Sequence, residues 1–206
     1  MRSTWFANQQ QDDEKEQQNT NSSVNYQSEA YHYQDLRDRN TDLEVAYADF
    51  DYGNSISVLG NLGLLDNRLS IGLGYTNFSG DNDVVDYDHY YIDAQFNLTN
   101  NMVLGASYFE DIEAFKVNFD YVADANFGVW DVGAYVFDGD IGLRGGLLIP
   151  FSSAWYYRGD LDWQDFDYLT FTNRVGIVMG AFDLGAEYVL QDNNNDHWKI
   201  SVSMHF

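Results

Sequence analysis

From about residue 43 to the carboxyl end, apolar and polar positions alternate with period two. Leu69, Ile71, Leu73 and Tyr75 alternate with Ser70, Gly72, Gly74 and Thr76, and Tyr90, Ile92, Ala94, Phe96 and Leu98 with Tyr91, Asp93, Gln95 and Asn97. The same rhythm returns over residues 102–108, 115–121, 130–136, 141–149, 182–190 and 198–206. Successive side chains of a strand face opposite ways, so each segment has one apolar and one mixed face. The pattern predicts about twelve strands: 43–52, 55–65, 68–78, 87–98, 101–110, 113–122, 127–137, 140–150, 154–164, 167–178, 181–191 and 196–206. Two places resist it. Asp49 and Asp51 compete with Val45 and Tyr47 for the phase of the first strand, and Asn173 falls on the apolar face unless a bulge shifts it.

A soluble β-sandwich would alternate in the same way, so three further features decide the architecture. Once apolar residues set the phase, Lys116, Arg144, Arg158, Arg174, Lys199, Asp93, Asp120, Asp131, Asp160, Asp162, Asp183 and Glu187 all fall on the opposite face, together with glycines that suit a crowded, concave lumen. The connections alternate in kind. Gly80-Asp81-Asn82-Asp83, Glu110-Asp111-Ile112-Glu113, Asp138-Gly139-Asp140, Asp165-Phe166-Asp167 and the run from Gln191 to Asp196 are acidic, whereas those at 65–68, 98–101, 123–126 and 178–181 are short and nearly neutral. A sandwich has no reason for two chemically different ends. Finally, apolar-face aromatics gather near strand ends. Tyr75, Tyr90, Tyr108, Phe115, Trp163, Tyr188 and Trp198 lie toward the acidic rim, and Phe96, Tyr121, Phe151, Trp155, Phe182 and Phe206 toward the other. Two aromatic girdles around an aliphatic band are what two membrane interfaces select for. The expected fold is all-β: a transmembrane antiparallel up-and-down barrel over residues 43–206.

Residues 1–42 read differently. Residues 8–23 form a Gln/Asn/acidic run too polar to pack, and 24–36, with Tyr26, Tyr31 and Tyr33, could add a strand. If Ser3–Gln10 paired with it, the barrel would have fourteen strands. No charged-then-apolar leader opens the chain, as expected of a mature exported form or one with an added Met1. Absence of cysteine removes disulfides and thiolate zinc sites. A formal charge of −23 argues against nucleic acid as a partner.

The last strand, Trp198-Lys199-Ile200-Ser201-Val202-Ser203-Met204-His205-Phe206, resembles the terminal signal of Gram-negative outer-membrane β-barrel proteins of the porin-like kind. The resemblance implies a bacterial outer-membrane location, with lipid and lipopolysaccharide around the barrel. It also implies that Trp198, Ile200, Val202, Met204 and Phe206 are read by the barrel-assembly machinery. It does not imply a substrate, because one fold hosts many functions.

For chemistry, Asp86, Asp88 and His89 are the best candidates for omptin-like protease action at the acidic rim. Adjacent strand residues face opposite ways, however, which keeps Asp88 and His89 from forming a dyad. His197 follows Asp196 near the same rim, and His205 reads as structural. The acidic loops could take divalent cations, but no spacing resembles an EF-hand loop, and no metal site or cofactor is expected. The charged inner face, with Tyr91, Tyr156, Gln95, Gln164 and Asn118, fits a narrow passive channel for small hydrophilic solutes with an acidic, cation-enriching mouth. It also fits a barrel plugged by its own paired charges, serving as a structural or adhesion protein.

Overall fold

The computed structural model of the chain describes residues 35–66, 68–81, 86–192 and 196–206. Twelve strands follow one another: β1 (Asp42–Phe50), β2 (Gly53–Leu64), β3 (Leu69–Gly80), β4 (Tyr87–Thr99), β5 (Met102–Phe109), β6 (Ala114–Ala125), β7 (Gly128–Phe137), β8 (Asp140–Pro150), β9 (Trp155–Gln164), β10 (Tyr168–Met179), β11 (Phe182–Gln191) and β12 (His197–His205). Each pairs antiparallel with the next, and β12 returns to β1 to close the barrel. The seam runs from Asp42 opposite His205 to Phe50 opposite His197. Closure matters because an unmet N–H or C=O in hydrocarbon is expensive, and a closed sheet has none at an edge.

The ring has no gap for the extra pair of a fourteen-strand barrel. Ser3–Gln10 and residues 24–34 lie outside the described residues, while Asp35 and Leu36 are not strand. The hairpins are tight. Between β7 and β8, Asp138 and Gly139 both adopt positive φ (49° and 97°), the two-residue turn whose twist matches its flanking strands and favours Asp-Gly.

The outer surface is a belt of exposed aliphatic side chains, among them Leu73 (63% exposed), Ile92, Val117, Val132, Leu161, Val175 and Ile200. A contiguous apolar surface of this extent is not left in water. At the acidic end it is bordered by cross-strand ring pairs: Tyr75–Tyr90 at 4.9 Å, Tyr108–Phe115 at 4.6 Å and Tyr188–Trp198 at 4.5 Å. At the other end Tyr121–Trp130, Trp155, Phe182 and Phe206 form the second girdle. The barrel therefore spans a membrane by its strands.

Both difficult positions have physical solutions. In β1, Glu44, Ala46, Ala48 and Phe50 turn inward, and Asp49 faces out opposite Trp198, level with the girdle. Asn173 does face outward, and β10 is in register on both sides, so no bulge rescues it. Instead the Tyr157 hydroxyl donates to its Oδ1 at 2.8 Å, so the amide oxygen is not left bare on the lipid face.

The inner wall explains the glycines of the mixed face. A Cβ at Gly74 would lie 2.1 Å from the Tyr91 ring, one at Gly142 2.0 Å from that of Tyr135, and one at Gly176 2.2 Å from that of Tyr156. Each large side chain lies flat across a glycine of the neighbouring strand rather than projecting to the axis.

Candidate functional site

All twelve charged residues read as lumenal project from the inward faces of their strands. They meet as cross-strand pairs. Arg144 (β8) forms two hydrogen bonds with the Asp120 carboxylate (β6), which also accepts from Asn118 at 2.6 Å. Arg158 (β9) lies 2.7 Å from Asp131 (β7) and also bonds Asp160 on its own strand. Arg174 (β10) donates to the Tyr156 hydroxyl at 2.8 Å, and Tyr156 donates in turn to Asp183 (β11) at 2.8 Å. Arg174 also reaches Ser201 at 2.9 Å and Asp183 at 3.4 Å. Lys199 (β12) sits between Glu44 at 3.7 Å and Glu187 at 3.9 Å. Asp120 and Asp183 are fully buried.

Burying a carboxylate is costly unless a cation and hydrogen-bond donors meet it, and both of these are met in that way. Lys116 is the exception among the inner-wall cations. Its ammonium lies 4.0 Å from the Tyr135 ring centre, and Tyr135 donates a hydrogen bond to Asp162. Asp93 faces the lumen beside Gln95. Asp42 and Glu44 also turn inward and were hidden in the sequence by the unclear phase of β1.

Toward the short-turn end, inward positions become apolar. Val103, Val122, Val129, Leu148, Tyr156 and Val178, on β5 to β10, form a buried collar, and Leu36 packs against it. Residues 35–41 cross this end of the lumen. Thr41 holds β2 and the carboxyl terminus, accepting from Gly63 N–H at 3.1 Å with its hydroxyl and from Phe206 N–H at 2.9 Å with its carbonyl. The Arg37 carbonyl accepts from Asn97 (β4) at 2.6 Å, and its guanidinium pairs with Asp124 (β6) at 2.6 Å. Donating hydrogen bonds to the Asp124 and Asp35 carboxylates holds the Arg37 guanidinium charged, well above its ordinary range. Arg39 is 4% exposed, and its Nε and Nη2 make no hydrogen bond among the described residues. Burial pushes it down to about 10, so it stays protonated at neutral pH.

Above the collar lies a chamber of about 450 Å³ floored by Leu36 and bounded by Lys116, Asp131, Arg144, Arg158, Asp160 and Asp162. Nearer the acidic rim its wall includes Phe109 and Phe137 on β5 and β7, and Gln164, Tyr168, Thr170 and Thr172 on β9 and β10. The inward aromatics continue around the mouth. Phe109 touches His89 (5.5 Å), Tyr91 (5.8 Å) and Phe137 (5.5 Å), and Phe78 stacks on Tyr87 at 5.0 Å beside Phe50 and Tyr52. Tyr91 and His89 were singled out from the sequence, whereas the phenylalanines Phe50, Phe78, Phe109 and Phe137 were not. Their signal was a phase shared with polar residues: Phe78 follows Thr76 by two, and Phe109 follows Ser107 by two.

Asp88 and His89 do face opposite ways. Asp88 accepts from Tyr75 at 2.7 Å and Asn77 at 3.0 Å on the outer face, whereas His89 turns inward and pairs with Asp111 at 2.6 Å. Asp86 accepts from the Gly80 N–H. His197 packs on Phe50 at 4.2 Å, and His205 lies on the inner face. Among the described residues no group of three or more His, Cys, Asp or Glu is placed to hold a metal ion. Of the assembly-signal residues, Trp198, Ile200, Val202 and Phe206 are exposed on the outer surface and Met204 is half-buried there.

No protein-family model and no curated protein matches the sequence. Solved barrels match its shape. The KdgM porin superposes with a TM-score of 0.68 at 10% identity, over 80% of this chain and 99% of that one. The structure described as the KdgM porin in complex with disordered oligogalacturonate gives 0.67 at the same identity and coverage. The NanC porin gives 0.54 at 8% identity, over 81% of this chain and 98% of that one. At such identities the likeness is one of fold: a closed barrel of the porin type.

Proposed function

We propose that the chain is a porin-like passive channel of the bacterial outer membrane for small hydrophilic solutes, with residues 35–41 closing its short-turn end in the state described. The observation that carries this reading is the polar chamber inside a lipid-facing barrel, walled by charge pairs and floored by a single inserted side chain, Leu36. Lipid and lipopolysaccharide would surround the belt, the assembly machinery would read the terminal strand, and the acidic loops would face outside the cell.

Cation preference follows from the balance of partners. On the inner wall, among the described residues, every basic group but Lys116 has a carboxylate within ion-pair distance, whereas Asp42, Asp93 and Asp162 have no basic partner. The acidic rim adds to that excess, and loops such as Glu110–Glu113 could gather divalent cations weakly. One of the KdgM structures was solved with oligogalacturonate, a polyanion. Here the arginines are already neutralised, which disfavours a polyanionic solute.

A non-conducting structural or adhesion barrel is the second reading, and the Leu36 contact with the collar favours it. Single-channel recording in planar bilayers separates the two, using the native chain and Leu36→Asp/Arg37→Glu. The variant places charge in the apolar collar and breaks the Asp124 pair. A cation-selective conductance that rises in the variant supports the channel, and silence of both proteins refutes it. An omptin-like activity has no observation in its favour.

A further inference from the structure

We propose that the outer chamber is a binding site for neutral sugar rings, an inference that gives the channel reading a substrate class and rests on it only for transit. The mouth is two-faced. One side is the aromatic arc in which Phe109 and Phe137 line the chamber, backed by His89 and Tyr91. Facing it are Gln164, Thr170 and Thr172. Phe109 is on β5 and the threonines on β10, five places apart in a ring of twelve strands, so these oppose each other across the lumen, with Phe137 on β7 and Gln164 on β9 along the wall between them.

A pyranose needs both. Its C–H faces stack on aromatic rings, while each hydroxyl at its edge both donates and accepts. The wall supplies acceptors in Asp162 and Gln164, donors in Lys116 and Arg144, and hydroxyls of either sense in the threonines. The volume of about 450 Å³ lies within the ~300–1,000 Å³ usual for ligand sites. Charge selects the neutral class. Lys116, Arg144 and Arg158 in the chamber are matched by Asp131, Asp160 and Asp162, and the rim outside is acidic. A uronate would first cross the acidic rim, and at either chamber arginine would have to displace a carboxylate already paired, leaving it only Lys116, whereas a neutral polyol can bond to the pairs as they stand.

The rings pack on one another at the mouth and belong to neither the belt nor the collar. The aliphatic belt faces lipid, and the apolar collar, nearer the other end, contains none of the rings of this arc. Phe109 and Phe137 instead present apolar surface to a water-accessible chamber.

The test is calorimetric titration of the full chain in detergent micelles with maltotriose, trigalacturonate and sorbitol, the last having hydroxyls but no ring face. Maltotriose should bind in the millimolar range and more tightly than the other two. Phe109→Ala and Phe137→Ala should each weaken it by roughly tenfold, the loss expected for one aromatic contact. Phe109→Trp should retain binding, and Thr172→Val, whose shape is conserved, should weaken it if the hydrogen-bonding face contributes. The heat-modifiable gel shift reports whether each variant is folded. No maltotriose binding, tighter trigalacturonate binding, sorbitol equal to maltotriose, or binding that survives loss of both phenylalanines would each overturn the site. Bilayer conductance of the same preparation keeps the two readings apart. Binding without conduction removes the channel and leaves the site, and conduction without binding does the reverse.

Discussion

Replacing Arg174 with methionine tests whether the inner wall is a dry structural network or a hydrated pore lining. The guanidinium is 4% exposed and holds Tyr156, Ser201 and the fully buried Asp183. Methionine fills much of the volume of the side-chain stem but leaves the Asp183 carboxylate without its cation. Breaking a buried pair on one side costs about 3–5 kcal/mol, because the remaining charge is stranded. Tyr156 still donates to Asp183 at 2.8 Å, so the lower end of that range, about 3 kcal/mol, is expected. Removing the stranded charge as well, in Arg174→Met/Asp183→Asn, should recover most of the loss and leave a deficit of roughly 1 kcal/mol.

The assay is urea unfolding of the barrel in lipid vesicles, followed by tryptophan fluorescence and analysed as a double-mutant cycle. A single-variant loss below about 0.5 kcal/mol, with no coupling to Asp183→Asn, would mean that water solvates both groups. The network reading would then fail. In that case Arg158→Gln/Arg174→Gln should instead shift the reversal potential in a salt gradient, since selectivity follows the charge that ions meet.

Three other outcomes are expected. Ile112→Cys, in the β5–β6 turn, should be labelled on intact cells by an impermeant thiol reagent and Asn100→Cys should not; the reverse pattern would invert the orientation. Deleting Phe206, whose N–H bonds the Thr41 carbonyl at 2.9 Å and whose ring joins the lower girdle, should lower the yield of heat-modifiable barrel, and unchanged yield would refute its role in assembly. Gly176→Val should destabilise by about 1–3 kcal/mol because its Cβ would meet the Tyr156 ring at 2.2 Å, and an unchanged unfolding midpoint would show that Tyr156 can swing toward the axis.

What could be read from the chain depended on whether the relevant rule was local. Strand number, and the side taken by Lys116, Arg144 or Asp183, follow from a period-two rhythm that tertiary structure cannot alter without a bulge. Which carboxylate meets which arginine depends on register. Arg144 reaches past β7 to Asp120 on β6, over the backbone of Gly133, and no spacing along the sequence encodes that. The inward phenylalanines and the collar valines were obscured for a different reason. In a membrane barrel, hydrophobicity is itself the marker of the outward phase, so an apolar residue in the inward phase looks like noise. The segment 35–41 was obscured because its fixing contacts are two backbone carbonyls, a threonine hydroxyl, one leucine and an arginine, none of which makes a periodic pattern.

The distribution of the scarce cations bears on why the chain is so acidic. Of its ten Lys and Arg residues, Arg2 and Lys15 lie outside the described residues, and of the rest only Arg68 sits at an exposed turn without facing the lumen or its lower entrance. Lys116, Arg144, Arg158, Arg174 and Lys199 are on the inner wall, and Arg37 and Arg39 are on the segment that crosses it. If acidity served only to keep the molecule soluble, cations would be thinned everywhere alike. Instead they are kept where carboxylates are removed from water, and the excess of acid falls on the rim loops and the polar amino-terminal stretch. A solute entering a channel of this kind from the acidic rim would cross a negative mouth, then a chamber whose charges balance, then an apolar collar closed by Leu36. On the proposed channel reading the mouth would favour cations by its field, the chamber would accept neutral polar molecules by hydrogen bonding, and the collar would pass neither while residues 35–41 close it. Selectivity and closure thus rest on different residues, so substitutions at Phe109 or Asp162 should change what enters without changing how often the lower end opens.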